Sequence, residues 1–420
     1  MRFSVLLFVA ALAVSPAAAQ PYERERAAAA ELAEICAADA ASLWGVNLCG
    51  PLLVVEPGSR AAWASQADAL GVLTPSGDGW TGVLPDGVPL ANTSLAWAGD
   101  TWIMALAPLP ESAEDRRVLL AHEAWHRIQD QIGLTAVGTD APHLESEQGR
   151  VLMRLEMRAL ARAMENNGRT RWNAARDALS FRAARLAEFP GASDRETGLD
   201  RNEGLAAYTG VRLGAADADA YATRTLARYD EHQALARAYA YATGPAYGLL
   251  LDGRERGWRS ALDEAAPADL LSARLRPRVS AAALRRSMAR YDGATVAAEE
   301  AARAEAQRAI VAETRARFSE GPRLVLPLTN AQFEFDPNQV TPVEGLGGVY
   351  RVLTIRDQWG ELRALQGALI AHDFQSVIVA DPAPDGLSGP GWSLDPAPGF
   401  APGGPEQGEV RVMGAVSSTQ

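Results

Sequence analysis

The chain has 420 residues, 48% hydrophobic and 22% charged, which is enough to bury a sizeable core and excludes a disordered or fibrous protein. Acidic residues outnumber basic ones by 52 to 40, and the resulting charge of −12 argues against a nucleic-acid or anionic-lipid partner. Apart from five histidines every basic residue is arginine, so Schiff-base and Ser-Lys chemistry is excluded.

The first segment has the pattern of a secretory signal over 1–19. Arg2 supplies a positive start, Val5 to Val14 a short apolar core, and Ala17-Ala18-Ala19 a small-residue cleavage site before Gln20. The apolar run is too short to span a bilayer, and no later segment is long and apolar enough. Export to the periplasm or beyond is therefore expected, with no membrane span once the signal is removed. The two cysteines, Cys36 and Cys49, are expected to pair in that oxidising setting, closing a short loop worth about 3 kcal/mol.

A helix is predicted over Glu23 to Ala41 and a short apolar strand over Pro51 to Val55. Gly77 to Pro89 is turn-rich. Two apolar runs, Ser94 to Ala98 and Thr101 to Ala107, flank Gly99-Asp100 and predict a hairpin. From Ser112 to about Phe318 the pattern is mostly helical. Helices are expected over Ala113–Ile132, Leu144–Glu165, Trp172–Glu188, Asp200–Arg212, Ala216–Ala242, Gly244–Asp252, Trp258–Leu275 and Ala281–Phe318, with Gly244-Pro245 marking a break. Beyond Gly321-Pro322, strands are predicted at Leu324–Leu328, Gly348–Ile355, Leu362–Ile370, Ser376–Ala380 and Val410–Met413, with Asp357 to Gly360 as a hairpin turn. Asp381 to Pro405, dense in Pro and Gly, is expected to be irregular.

The chemistry concentrates at Val118 to Ile128. His122-Glu123-Ala124-Trp125-His126 is a His-Glu-x-x-His string inside an amphipathic helix whose apolar stripe is Val118, Ala121, Trp125, Ile128 and Ile132. Two histidines four apart sit one turn above each other, so both imidazoles can reach one Zn²⁺ at about 2.1 Å. Glu123 lies beside the pair, where a carboxylate can accept a proton from water activated by the metal. A catalytic zinc takes a third protein ligand and keeps one position open. Glu203, in Asn202-Glu203-Gly204-Leu205-Ala206-Ala207-Tyr208, and Glu156, in Leu155-Glu156-Met157, both lie in helical runs, and Glu145, Glu147 and His143 are further candidates. The pattern alone does not decide between them.

His-Glu-x-x-His followed by Asn-Glu-Gly-x-Ala-x-Tyr resembles the gluzincin metallopeptidases, the zinc aminopeptidases and their peptidase-MA-like relatives. The resemblance covers these two motifs, and it implies that Glu203 is the third ligand. The 77 residues from His126 to Glu203 exceed the aminopeptidase spacing, which two inserted helices would explain. The resemblance also implies an edge strand beside the metal, for which Thr101 to Ala107 is the candidate. A downstream tyrosine or histidine is implied as oxyanion donor, with Tyr241, Tyr247 and His232 as candidates. The fold expected is α+β: a mostly helical zincin-like domain over 20–320 with an N-terminal strand and hairpin region, then a smaller all-β domain over 321–420. The function expected is that of a zinc hydrolase acting on a peptide or protein substrate. The alternatives are a non-catalytic zinc-binding envelope protein of the same fold and a zinc hydrolase of a non-peptide amide or ester.

Overall fold

The computed structural model describes residues 22–135, 140–336, 339–343, 345–402 and 409–414; the expected signal segment lies outside them. The architecture is α+β. The chain divides into two compact units, Met1–Glu300 and Ala301–Gln420. The border falls within a helix, Gly293–Arg315, rather than at the expected 320/321. Most of that helix beyond Glu300 is exposed, so helical continuity outlasts the packing that defines the first unit.

In the first unit, α1 (Glu23–Asp39) is stapled by a Cys36–Cys49 disulfide to the segment before β1 (Leu52–Val55), as the sequence leads one to expect. β1, β2 (Ala61–Ala64), β3 (Thr74–Ser76), β4 (Gly79–Val83), β5 (Thr93–Trp97) and β6 (Asp100–Leu106) form one sheet in the order β3-β4-β2-β1-β6-β5. The β5–β6 hairpin pairs Trp97 with Asp100, and its turn is Ala98-Gly99, both at positive φ (49° and 88°). That is one residue earlier than the Gly-Asp pair expected. Alternation along the strands splits the side chains between two cores. Leu52, Val54, Trp63, Ile103 and Ala105 join the large helical core, while Leu53, Val55, Ala62, Ala64, Trp102 and Met104 pack together on the other face.

The helices that follow are α2 (Ala113–Ile128), α3 (Glu147–Met164), α4 (Gly168–Glu188), α5 (Ala192–Leu199), α6 (Leu205–Gly214), α7 (Ala218–Asp230), α8 (Leu235–Asp252), α9 (Pro267–Leu275), α10 (Ala281–Arg290) and α11 (Gly293–Arg315). α3, α4 and the short α5 fill the stretch between the two sequence motifs. One expectation needs correcting: Gly244-Pro245 does not break a helix but lies inside α8. Gly244 faces Gly204 across a helix crossing so close that a Cβ built on Gly244 would overlap the Gly204 carbonyl oxygen and Cα. The break falls instead between Asp230 and Leu235. There the carbonyls of His232 and Gln233 accept hydrogen bonds from the buried Arg150 of α3, a long-range partner no local pattern reveals.

The second unit is all-β beyond the end of α11. One sheet has the order β17-β18-β7-β14-β13-β10-β9, built from β7 (Arg323–Pro327), β9 (Val340–Val343), β10 (Gly347–Tyr350), β13 (Ala368–Ala371), β14 (Ser376–Ala380), β17 (Phe400–Pro402) and β18 (Glu409–Gly414). The other, β15-β16-β12-β11-β8, uses β8 (Gln332–Phe335), β11 (Leu353–Asp357), β12 (Gly360–Ala364), β15 (Ser388–Gly389) and β16 (Trp392–Pro396). Leu324, Val377 and Val379 from the first sheet share a core with Leu353, Ile355, Leu362 and Trp392 from the second. The hairpin turn at Asp357 to Gly360 is present. The segment expected to be irregular carries β15, β16 and β17, because Trp392 and Leu394 alternate inward between its glycines and prolines.

Candidate metal centre

α2 is the pivot of the site. Ser112 caps it by accepting from the Asp115 amide (3.3 Å), and Glu114 and Asp115 in its first turn suit the positive end of the helix dipole. Its central turns are buried almost all round: Leu120, Ala121, Ala124, Trp125 and Ile128 pack in the core, and His122 and Glu123 are buried as well. α6 lies tightly against it. A Cβ on Gly210 would sit 2.6 Å from the Val118 carbonyl oxygen, and one on Gly214 2.5 Å from the Val118 nitrogen. Those glycines let α6 approach, and the approach sets the depth of the residues just before α6. These form a π-helical turn, Asp200–Gly204, a local widening of the helix that redirects side chains. Glu203 sits on it.

Three donor atoms from these two elements meet. His122 Nε2 and His126 Nε2 are 3.2 Å apart, and Glu203 Oε2 lies 3.3 Å from the first and 3.6 Å from the second. In a tetrahedral site with arms of about 2.0–2.1 Å, ligand atoms are separated by about 3.4 Å, so the triangle has the size a zinc ion requires. Glu203 Oε2 is buried without a hydrogen-bond partner. The donors therefore fit a metal: two imidazoles, one carboxylate, and an orphaned oxygen pointing at the pair. Glu123 is set back. Its Oε1 is 4.0 Å from His122 Nε2, and its Oε2 is buried and unpartnered.

A hydrogen-bonded cord ties the two ligand-bearing elements together. Gln129 Oε1 lies 3.1 Å from His126 Nδ1, while its Nε2 donates to the Leu134 carbonyl (2.9 Å) and to Asn202 Oδ1 (3.3 Å). Asn202 Nδ2 in turn donates to Glu203 Oε1 (3.0 Å). Since the Gln129 amide nitrogen is spent on two acceptors, its oxygen must accept from His126. The His126 proton is thereby held on Nδ1, leaving the Nε2 lone pair for a metal. Sequence reasoning missed Gln129. Its only local signal is its place three residues after the second histidine, which is one face of the same helix.

Electrostatics follow from burial and these neighbours. Burial pushes the Glu123 carboxyl up, and the two imidazoles offset this only in part. Burial would likewise raise Glu203, but His122 and His126 outweigh it and hold that carboxyl far below the usual range. The His126 ring is raised: burial opposes its charged form, and the Glu203 and Glu123 carboxylates more than offset that. The Tyr241 ring stacks on His122 at 5.5 Å with 10° between the planes. Burial, then the Glu203 carboxylate, raises its hydroxyl well above the ordinary value, so it stays protonated.

The other candidates lie elsewhere. Glu156 is wholly buried and ion-paired with Arg185 Nη1 at 2.7 Å, so it is not a ligand. Tyr247, expected as an oxyanion donor, is a correction: it is buried and donates to Glu156 Oε1 at 2.7 Å, because its position on α8 faces α3 and not the cleft. His143 Nε2 pairs with Glu196 at 2.7 Å. His232 stacks behind Tyr229 (5.0 Å). Glu145 and Glu147 flank the capped start of α3 and are not among the residues lining the cleft. The edge strand is also a correction. β6 is flanked by β1 and β5, and the edge is β5.

The site opens into a cleft of about 480 Å³ whose walls include Asn92, Thr93 and Ser94 at the β5 edge, α2, and Tyr221, Thr225, Arg228 and Tyr229 of α7. Among the described residues no helix is long and apolar enough to cross a membrane. No family model matches the sequence, and neither a curated protein nor a solved structure matches it.

Proposed function

We propose that the protein is an exported zinc-dependent hydrolase of the gluzincin kind, acting on peptide bonds. The observation that carries this reading is the triangle of His122 Nε2, His126 Nε2 and Glu203 Oε2, with edges of 3.2, 3.3 and 3.6 Å. A zinc ion held there would supply Lewis acidity and water acidified to near-neutral pH. The chain's own residues do the rest. Glu123 accepts a proton from water and delivers it to the leaving amine. Its burial beside the imidazoles keeps bulk water from competing for that proton. Tyr241, held flat against His122, donates its hydroxyl to the oxygen that gains charge on the attacked carbonyl. The free edge of β5 offers main-chain donors and acceptors to an extended substrate. The Cys36–Cys49 disulfide supports an oxidising, extracytoplasmic setting.

The test is metal analysis of the mature protein together with turnover of a broad peptide library. One zinc per chain is expected, retained in Glu123→Gln with turnover abolished. Absence of zinc sinks the metal reading. A zinc-loaded wild-type protein inert on every peptide, yet active on a non-peptide ester or amide, sinks the peptidase reading alone.

A further inference from the structure

We propose that Arg228 forms a carboxylate-binding subsite in the cleft, so that substrates carrying a carboxylate near the bond to be cleaved are preferred; this rests on the peptidase reading above. α7 presents Tyr221, Thr225, Arg228 and Tyr229 to the cleft, spacings of 4, 3 and 1 that form one face of a helix. Arg228 is the only arginine among the residues lining the cleft. Its guanidinium lies over the Tyr229 ring, 5.4 Å from the centroid.

Within this wall of the cleft Arg228 has no counter-ion among the described residues. Its neighbour one turn back, Arg224, is bound to Glu114 at 2.8 Å, and on α3 Arg154 and Arg158 are paired with Asp230. Among the described residues no carboxylate lies within ion-pair distance of Arg228. Asp115, on the same cleft wall, accepts a hydrogen bond from the Tyr221 hydroxyl at 2.8 Å. A cation in the last turn of α7 also suits the helix dipole, but that role is served equally by an arginine turned to bulk solvent. An arginine stacked on a tyrosine is held in place with its hydrogen-bonding edges free, which is the geometry that grips a carboxylate with two parallel bonds.

The rest of the wall sharpens the selection. Asp115, Glu123, Asp130 and Glu203 all line the same cleft. A ligand carboxylate is repelled along most of this surface and attracted at Arg228, so the interaction fixes the register of the substrate as well as its affinity. The carboxylate could belong to an acidic side chain or to the chain terminus. Both present the same group, and the experiment separates them.

The experiment uses the zinc-loaded mature protein and matched peptides: Glu against Gln at each position flanking the cleavage site, and free against amidated C-termini. Wild type is expected to prefer the carboxylate-bearing member of at least one pair by about tenfold or more in kcat/KM. Arg228→Gln removes that preference, Arg228→Lys restores part of it, and added salt weakens it because the cleft is open. A response confined to the Glu/Gln pairs assigns an acidic side chain; one confined to the termini assigns a C-terminal carboxylate. Binding of the same pairs to Glu123→Gln, measured by calorimetry, keeps the question separate from turnover. If no peptide is cleaved but Glu123→Gln binds the acidic member better through Arg228, the peptidase reading fails and the subsite stands. If wild type cleaves peptides without preference, or if Arg228→Gln slows both members of every pair alike, the subsite is overturned.

Discussion

Two of the first unit's clusters of acids, around Glu203 and around Glu196, are built on opposite principles. In one, Glu203 faces two imidazoles and, among the described residues, no guanidinium. In the other, every acid meets an arginine. Arg185 binds Glu156 at 2.7 Å and both oxygens of Glu196 at 2.7 and 2.9 Å; Arg182 joins Glu196 and Asp200, each at 2.9 Å. His143 and Tyr247 hydrogen-bond the Glu196 and Glu156 carboxylates, and Tyr239 donates to the Glu196 main-chain carbonyl. Both clusters contain a histidine and glutamates in helices, so residue type does not distinguish them. The presence or absence of a permanent cation does. Where arginine supplies the positive charge, the site is already neutralised and has no use for a metal; where only imidazoles are present, a dication is the missing charge.

The largest expected effects test that division directly. Glu123→Gln should lower turnover on the order of 10²–10⁴-fold with zinc retained, and His126→Ala should lose the metal. Glu156→Gln, in the paired cluster, should do neither. It should cost about 3 kcal/mol in denaturant unfolding, because the buried Arg185 loses one of its two acids. If Glu156→Gln released zinc while leaving stability intact, the roles of the two clusters would have to be exchanged.

The two tyrosines divide the same way. Tyr241→Phe removes a hydroxyl beside the His122 ring and should reduce kcat on the order of 10²-fold with little change in unfolding. Tyr247→Phe removes the bond to Glu156 and should cost about 1–3 kcal/mol of stability while the folded enzyme keeps its kcat. Equal effects on kcat would erase the distinction.

The sequence left these two tyrosines as equal candidates, and the reason is physical. The helix carrying His122, Glu123 and His126 was legible because the candidate ligands and base on it lie within a single turn and a half, where helical periodicity alone fixes who faces whom. Strand β1, the β5–β6 hairpin and the hairpin at Asp357 to Gly360 were legible for the same local reasons, and the disulfide from the cysteine count and expected export, whereas β2, β3 and β4, the last inside the stretch read as turn-rich, were not. Tyr241 and Tyr247, six residues apart on α8, face different partners because of how α8 crosses α3 and the π turn, and that depends on Gly204 meeting Gly244. The π turn itself, the break after Asp230 and the identity of the sheet edge are set by long-range packing. Composition made Gly244-Pro245 look like a boundary, yet the tight crossing needed that glycine inside a helix.

Asp200 offers a gentler probe, since it belongs to the paired cluster but stands three residues from Glu203. Burial raises its carboxyl from the ordinary 3.8 to about 7, with Arg182 opposing the shift and Glu196 adding to it. Between those values the folded protein keeps a proton that the unfolded chain has released, so stability should fall as pH rises from about 4 to 7 and then level off. Glu196 acts in the opposite sense. Its folded-state value is held far below 4.5 by Arg185 and Arg182 despite burial, so its contribution is present above that value and lost in acid. The windows are separate. Asp200→Asn should therefore flatten the decline between pH 4 and 7, an effect on the order of 1–4 kcal/mol read from denaturant midpoints of both proteins across that range. A decline that survives in Asp200→Asn would assign it to another group.

The smallest effect concerns what connects the histidines to the third ligand. Gln129 hydrogen-bonds His126 and, through Asn202, reaches the Glu203 carboxylate. It cannot act on the reaction itself, because its amide is turned to the rear of the imidazole and toward the Leu134 carbonyl. Its contribution is to hold one tautomer and one ring orientation, so Gln129→Ala should weaken zinc binding by about 10–100-fold, measured by competition with a chelator. At saturating zinc most of the activity should return, which a loss of catalytic chemistry would not allow. Gln129→Glu supplies an acceptor at the same place and should preserve affinity, although it forfeits the donors to Leu134 and Asn202. If Gln129→Glu binds zinc as weakly as Gln129→Ala, the donors matter more than the acceptor, and the link to Glu203 is then the part of the cord that sets metal affinity.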